Sequence, residues 1–451
     1  MPVSRENIEK WSWKYWLLRN YQNFIFRLYF KTEIVGLEKI PKNSTLIFAP
    51  NHQNALMDAL AILVMYKNWQ PVFLARADIF KKPLVIKILT FLKIMPVYRI
   101  RDGYENLSLN DEIFLKTMDV LNNKNGLVVL PEGNHAGFKR LRQLKKGIAR
   151  IAFQAEDASN GNLNILIVPV GLEYSNYVRF HSKFLMRIGE PFEIKKYLNL
   201  YHQNKALAYN AVIDELSKGI KKEIINIEDE ENYTSYLTLC DLFSERFIQK
   251  NKLPKTQNQK FLVDKKLIAN LDELKQSNEA EFSNLMQLAS EYEDLLKSNK
   301  ICSKAAPLST LKMLLLPFEA IILLLTLPFF LYGAINNLIP IITPYKLSLK
   351  FEDVQFHSSI RHVVAMIMFP LMYLIQTLIF GLIIKDGWLT LAYLASLPIG
   401  AAIVYHWRYR CIKFFRAISL LIFMKTKPTK SKRINELFNY LFAKIENLTS
   451  K

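Results

Sequence analysis

Two runs without a single charged residue, 363–384 and 388–405, constrain this chain more than any other feature of its sequence. They are 22 and 18 residues long. At a helical rise of about 1.5 Å per residue, runs of this length cover or nearly cover the ~30 Å hydrocarbon core of a bilayer. In lipid every backbone N–H and C=O must be satisfied within the segment, so both runs are expected as helices. Only Lys385, Asp386 and Gly387 separate them, which forces a tight antiparallel hairpin. Lys346, Lys350 and Arg361 precede the hairpin, and Arg408, Arg410, Lys413 and Arg416 follow it. Basic flanks stay on the cytoplasmic side, so both ends are expected there. An earlier apolar stretch, 313–343, is interrupted by Pro317, Glu319, Pro328 and Pro340. With a cytoplasmic soluble domain it must enter and return on one side. Its prolines then suit two short helices or a re-entrant loop better than one span.

The composition as a whole is too charged for a polytopic transporter. Charged residues still make up 22% beside 51% hydrophobic ones, a blend that joins a soluble domain to a membrane segment. At 451 residues more than one unit is expected. Sixty Lys and Arg against 40 Asp and Glu give a net charge of +20, which calls for nucleic acid or an anionic membrane surface as partner. The basic residues are interleaved with apolar runs and no DNA-binding motif is present, so the partner is expected to be membrane lipid. Cys240, Cys302 and Cys411 form no CxxC pair, disulfide framework or zinc site, which fits a reducing compartment. The polar start, residues 1–10, leads into no cleavage site, so no signal peptide is expected.

Residues 11–30 are rich in aromatics and carry only basic charges, Lys14, Arg19 and Arg27. They read as an amphipathic helix in the membrane interface or as a core helix against the next domain. The two readings are compatible on opposite faces. Next come short apolar runs at 45–49, 72–75, 95–98, 127–130 and 165–170, alternating with helical patterns at 55–65, 79–92, 111–121 and 144–154. Strand–helix alternation predicts an α/β domain with a largely parallel sheet. The expected division is an interfacial helix over 1–34, an α/β domain over 35–204, a soluble helical region over 205–305, a membrane segment over 306–420 and a basic amphipathic tail over 421–451.

The chemistry lies in 49–60, APNHQNALMDAL. A strand is expected to end at Pro50 and a helix to begin at Asn54 as its N-cap. On one continuous helix His52 and Asp58 would point to different faces. On a loop followed by a helix they can meet. An imidazole oriented by a carboxylate can take a proton from an alcohol near neutral pH. The bland alternative is that the pair only caps the helix. Two further strand ends add to the pattern: Leu130-Pro131-Glu132-Gly133, followed by Lys139, Arg140, Arg142, Lys145, Lys146 and Arg150, and Met95-Pro96-Val97-Tyr98-Arg99-Ile100-Arg101. A charge run is usually a solvated face. Strand ends of α/β sheets, however, are where ligands bind, and guanidinium pairs bidentately with phosphate.

Four blocks taken in order within 50–171 resemble the glycerolipid acyltransferase family, which includes bacterial lysophosphatidate acyltransferases. Asn51-His52…Asp58 resembles the family's histidine–aspartate block and Arg99 its substrate-binding arginine. Pro131-Glu132-Gly133 resembles the turn that contacts glycerophosphate, and Pro169 in Val168-Pro169-Val170-Gly171 resembles the last block. The resemblance implies an α/β acyltransferase-type sheet with flanking helices; the helical insert and the transmembrane hairpin lie outside it. It implies catalysis by His52 and Asp58. Substrate contacts would fall to Asn51, Arg99, Arg101, Glu132, Gly133, Lys139, Arg140, Arg142 and Pro169. An acyl-CoA or acyl carrier protein donor and a glycerol-phosphate acceptor follow, with no metal or bound cofactor. Two departures stand out. Five residues separate His52 from Asp58, one more than the usual pattern, as in fungal-type glycerol-3-phosphate acyltransferases. Asn134-His135 replaces the usual threonine-arginine. Both bear on the acceptor, and another membrane lipid such as an aminolipid, or a scaffold without catalysis, stays as the alternative.

Overall fold

The computed structural model describes residues 7–98, 109–301 and 315–450. Contacts divide the chain into two units, Met1–Asn226 with Leu347–Val363, and Ile227–Lys346 with Val364–Lys451.

The first unit is built on an eight-stranded mixed sheet. In chain order its strands are β1 (Phe30–Val35), β2 (Leu46–Pro50), β3 (Val72–Arg76), β4 (Ile94–Val97), β5 (Leu127–Val128), β6 (Leu166–Tyr174), β7 (Ser182–Ile188) and β8 (Phe192–Glu193). The spatial order is β1-β7-β6-β2-β5-β3-β4, with β8 on β6. Pairing is parallel except where β6 meets β7 and β8. All five expected strands are present. β2 and β6 are buried almost throughout, as strands covered on both faces must be. β1 and β7 were not expected. Charged residues interrupt their patterns, and β1 is an edge strand with Lys31 and Glu33 beside its single neighbour.

Helices α1 (Trp13–Tyr29), α2 (Leu56–Ile62), α3 (Pro83–Phe91), α4 (Leu109–Asn122), α5 (Gly147–Ala158), α6 (Leu198–Gln203) and α7 (Lys205–Glu223) complete this unit. α7 was expected in the following region, beyond a boundary at 204. It packs instead on β6, so closely that a Cβ on Gly171 would meet the Glu223 carbonyl oxygen at 2.0 Å. The α/β unit therefore closes near Asn226 and also takes back Leu347–Val363.

α1 has two faces, each with a heptad-like spacing. Tyr15, Arg19, Gln22, Phe26 and Tyr29 are buried, while Trp13, Leu17, Phe24 and Leu28 are exposed. The buried Arg19 donates to the carbonyls of Leu63 (2.8 Å) and Lys67 (2.5 Å), and Asn23 donates to Leu63 O (3.0 Å). These carbonyls follow the C-terminal end of α2, where they lack intrahelical partners and a cation is favourable. α1 thus holds one end of the helix whose other end carries Asp58.

The second unit is helical. α8 (Tyr233–Lys250), α9 (Gln257–Ser277) and α10 (Glu279–Ser298) pack together with α15 (Pro428–Ser450). The single periodic stretch seen at 261–296 is two helices, divided at Asn278, whose side chain caps the second by accepting from Glu281 N–H (3.1 Å). The tail does not present a free amphipathic face. Its Leu437, Leu441 and Ile445 are buried, and Arg433 makes two 2.7 Å bonds to Glu291 of α10.

The apolar helices are α11 (Leu316–Leu325), α12 (Leu327–Ser348), α13 (Gln355–Ile384) and α14 (Gly387–Thr426); α13 belongs to the first unit as far as Val363. The last three are long and apolar enough to cross a membrane, with mean hydropathies of 1.3, 2.2 and 1.6. The hairpin turn falls at 385–386, as its residues require. The stretch 313–343 differs from expectation, because one of its two helices is 22 residues long. Pro328 sits in the first turn of α12, where the ring costs nothing, and Pro340 and Pro344 are carried inside it. Asn337, fully buried, donates to Leu397 O (3.2 Å) and accepts from the Tyr373 hydroxyl (2.8 Å), which ties α12 to α13 and α14.

Candidate active site

β2 delivers the chain to the carboxyl edge of the sheet at Pro50. There Asn51 is spent on scaffolding. Its amide accepts from Leu172 N–H (2.7 Å) and donates to Leu172 O (3.2 Å) on the neighbouring β6. The loop then runs to Ala55, which takes φ +45° and ψ −128°, and α2 begins at Leu56. Asn54 is therefore not the expected N-cap.

Asp58, in the first turn of α2, reaches back to the loop that precedes the helix. Its Oδ2 accepts from the N–H groups of Gln53 (2.7 Å) and Asn54 (2.6 Å) and faces His52 Nδ1 at 2.9 Å. Its Oδ1 accepts from the Tyr174 hydroxyl at 2.8 Å. The carboxylate is fully buried, and such a group is tolerated only when its lone pairs are met by donors. Burial, and then the Asp58 charge, push the Tyr174 phenol well above its ordinary range, so it stays a donor. An ionised carboxylate can only accept, which assigns the proton of the neutral imidazole to Nδ1. Nε2 then carries the lone pair, on a side chain 15% exposed. Tyr174 lies 116 positions from Asp58, and no local spacing could have pointed to it.

The Pro131-Glu132-Gly133 turn braces the same loop. Glu132 is buried; Oε1 accepts from His52 N–H (2.6 Å) and Oε2 from Arg142 N–H (3.2 Å). Burial raises its pKa to about 7, against the lowering effect of those two amides and the His52 charge. Gly133 takes φ +67° and donates to Leu130 O, and Lys145 N–H reaches Pro131 O at 2.7 Å. Glu132 thus orders the backbone of two loops. Pro169 likewise is buried in β6, where its carbonyl accepts from Gly189 N–H.

Of the cations, Lys139 is paired with Glu173, Arg140 is half-buried, and Arg142 is exposed in part with its guanidinium on His135 O (3.3 Å). Arg99 and Arg101 lie outside the described residues. β4, which leads to them, ends at Val97 beside β3. His135 stands with its ring centroid 5.3 Å from that of His52.

What this arrangement offers chemically is one imidazole nitrogen poised to accept a proton, an ordered loop behind it and a cationic segment beside it. The chain also resembles known proteins. Residues 31–173 match the family described as Acyltransferase, and the match contains His52, Asp58 and Glu132. The chain is 28% identical over 145 residues to glycerol-3-phosphate O-acyltransferase 1 of Saccharomyces cerevisiae, which is 32% of this chain and 19% of that one. It is 28% identical over 138 residues to glycerol-3-phosphate O-acyltransferase 2 of the same yeast, 30% of this chain and 18% of that one. The matched part thus spans less than a fifth of either relative. The solved 1-acyl-sn-glycerophosphate acyltransferase from Thermotoga maritima aligns at a TM-score of 0.33 and 21% identity, over 46% of this chain and 79% of its own. Over residues 31–173, this chain is similar to acyltransferases, two yeast glycerol-3-phosphate O-acyltransferases among them.

Proposed function

We propose that the protein transfers a fatty acyl group from a thioester, acyl-CoA or acyl carrier protein, to a hydroxyl of glycerol 3-phosphate or 1-acylglycerol 3-phosphate. The observation that carries this reading is His52 Nδ1 held at 2.9 Å by a fully buried Asp58, which turns Nε2 into the proton acceptor. Nε2 takes the proton of the acceptor hydroxyl as its oxygen attacks the thioester carbonyl. The tetrahedral intermediate collapses with cleavage of the C–S bond, and the imidazolium returns its proton to the thiolate. No acyl-enzyme forms. Asp58 stabilises the imidazolium while it lasts.

The phosphate is assigned to Arg99 and Arg101 with Arg140 and Arg142, and Gly133 leaves room at the turn. Lys139 contributes less, because Glu173 already neutralises it. The names of the yeast relatives support this acceptor. The test is a panel of glycerol 3-phosphate, 1-acylglycerol 3-phosphate and an uncharged or amino lipid alcohol, each with both thioesters, using protein purified in detergent. The two phosphate-bearing acceptors are expected to be used, and inorganic phosphate to compete with them. Turnover confined to the alcohols without phosphate, with no competition by phosphate, would rule this acceptor class out.

The same reading places the α/β unit on the cytoplasmic side of a membrane that α12, α13 and α14 enter. Trp13, Leu17, Phe24 and Leu28 give α1 an exposed apolar face beside Lys14 and Arg27, suited to an anionic interface. In a variant keeping Trp13 as its sole tryptophan, brominated lipid is expected to quench the fluorescence. Emission insensitive to brominated lipid would put that face in water.

A further inference from the structure

Residues Leu347–Val363 lie far beyond the matched domain, yet they belong to the same unit as His52. Three of their side chains reach the loops around the two histidines. Asp353 Oδ2 stands 2.8 Å from His135 Nε2, and its Oδ1 accepts from Gln355 N–H at 3.0 Å. Phe356 meets the His135 ring edge-on, with centroids 4.9 Å apart and planes at 90°. The buried Ser358 donates to Asn54 Oδ1 at 2.8 Å, and Asn54 N–H is itself one of the donors on Asp58.

These contacts repeat around His135 what Asp58 does for His52. Burial works to raise the Asp353 pKa, but the His135 ring and the Gln355 amide outweigh it and hold the group below the ordinary carboxylate range. An ionised carboxylate only accepts, so His135 presents Nε2–H to it. The ring is then fixed at one nitrogen and walled by Phe356. Nδ1 has no protein partner among the described residues, and the ring faces that of His52 across 5.3 Å. Stability alone does not account for the pair. The Asp353 side chain is 45% exposed, and a carboxylate so open to water gains little from an ion pair.

We propose that Asp353 is a positioning residue for the acceptor alcohol. It fixes the His135 ring as the wall opposite His52, where Nδ1 meets a polar group next to the reacting hydroxyl. Segment 347–363, outside the acyltransferase match, therefore helps to set which acceptor is bound. This inference rests on the acyl-transfer reading given above.

The test uses the full chain in detergent, carrying Asp353→Ala, Asp353→Glu or Phe356→Ala. Acceptor and thioester are varied separately, on whichever acceptor the wild type uses best. Asp353→Ala and Phe356→Ala are expected to raise the acceptor KM about tenfold or more, since a displaced wall misplaces the hydroxyl. The thioester KM should stay within about twofold, because the lost contact serves only one substrate. Asp353→Glu still offers a carboxylate and should recover most of the loss. An acceptor KM unchanged in Asp353→Ala overturns the proposal, as does a parallel rise in both KM values or a glutamate variant as poor as the alanine one. Wild-type turnover on the acceptor panel tests the underlying reading by itself. A wild type that acylates no alcohol overturns both.

Discussion

Replacing His52 with alanine is expected to abolish acyl transfer while leaving the fold intact. The imidazole is the group assigned to take the hydroxyl proton, and loss of a general base typically costs about 10²–10⁴-fold in rate. The fold should survive because the remaining donors on Asp58 do not depend on the ring. Gln53 N–H, Asn54 N–H and the Tyr174 hydroxyl still meet the carboxylate. Glu132 contacts the backbone of residue 52, which alanine keeps. Initial rates and a thermal melt on the same preparation check this. Activity within about tenfold of wild type would remove His52 from its assigned role.

Asp58→Asn is expected to fail differently, losing stability as well as rate. The carboxylate meets four donors with two oxygens, and the side chain is fully buried. An amide must turn its NH₂ toward one set. Facing the loop, that NH₂ opposes two backbone N–H groups and His52 Nδ1. Facing β6, it opposes the Tyr174 hydroxyl. A buried donor left without a partner costs about 1–3 kcal/mol, so the substitution should lower stability by at least one such term. Tyr174→Phe is the control: it removes one donor and should cost less, while leaving the His52 contact in place. A melt of Asp58→Asn that matches the wild type would mean the carboxylate is not the keystone of this loop.

Much of this arrangement is legible in the order of the residues. Buried strands at 45–49, 127–130 and 165–170 stand out because a parallel sheet is covered on both faces and leaves unbroken apolar runs. The meeting of His52 and Asp58 follows from a strand that ends at a proline and a helix that begins soon after. What stays hidden is non-local. β1 and β7 carry charges because they lie toward the sheet's edge, which breaks the pattern. Arg19 looks like one of the basic residues of an interfacial helix, yet it is buried against the end of α2. Glu132 and Asn51 resemble ligand contacts, whereas their hydrogen bonds go to backbone of other elements. The tail's apolar stripe has the same spacing whether it meets lipid or three other helices. Asp353 sits 218 positions from His135, a pairing no motif encodes.

The most direct measurement is product identification after incubating the wild-type protein, in detergent, with a labelled acyl thioester and glycerol 3-phosphate or its 1-acyl derivative. Acyl transfer assisted by His52 predicts a new ester bearing the label on the acceptor, one free thiol released per ester formed, and a rate that depends on acceptor concentration. The label appearing only as free fatty acid, at a rate indifferent to the acceptor, would contradict it.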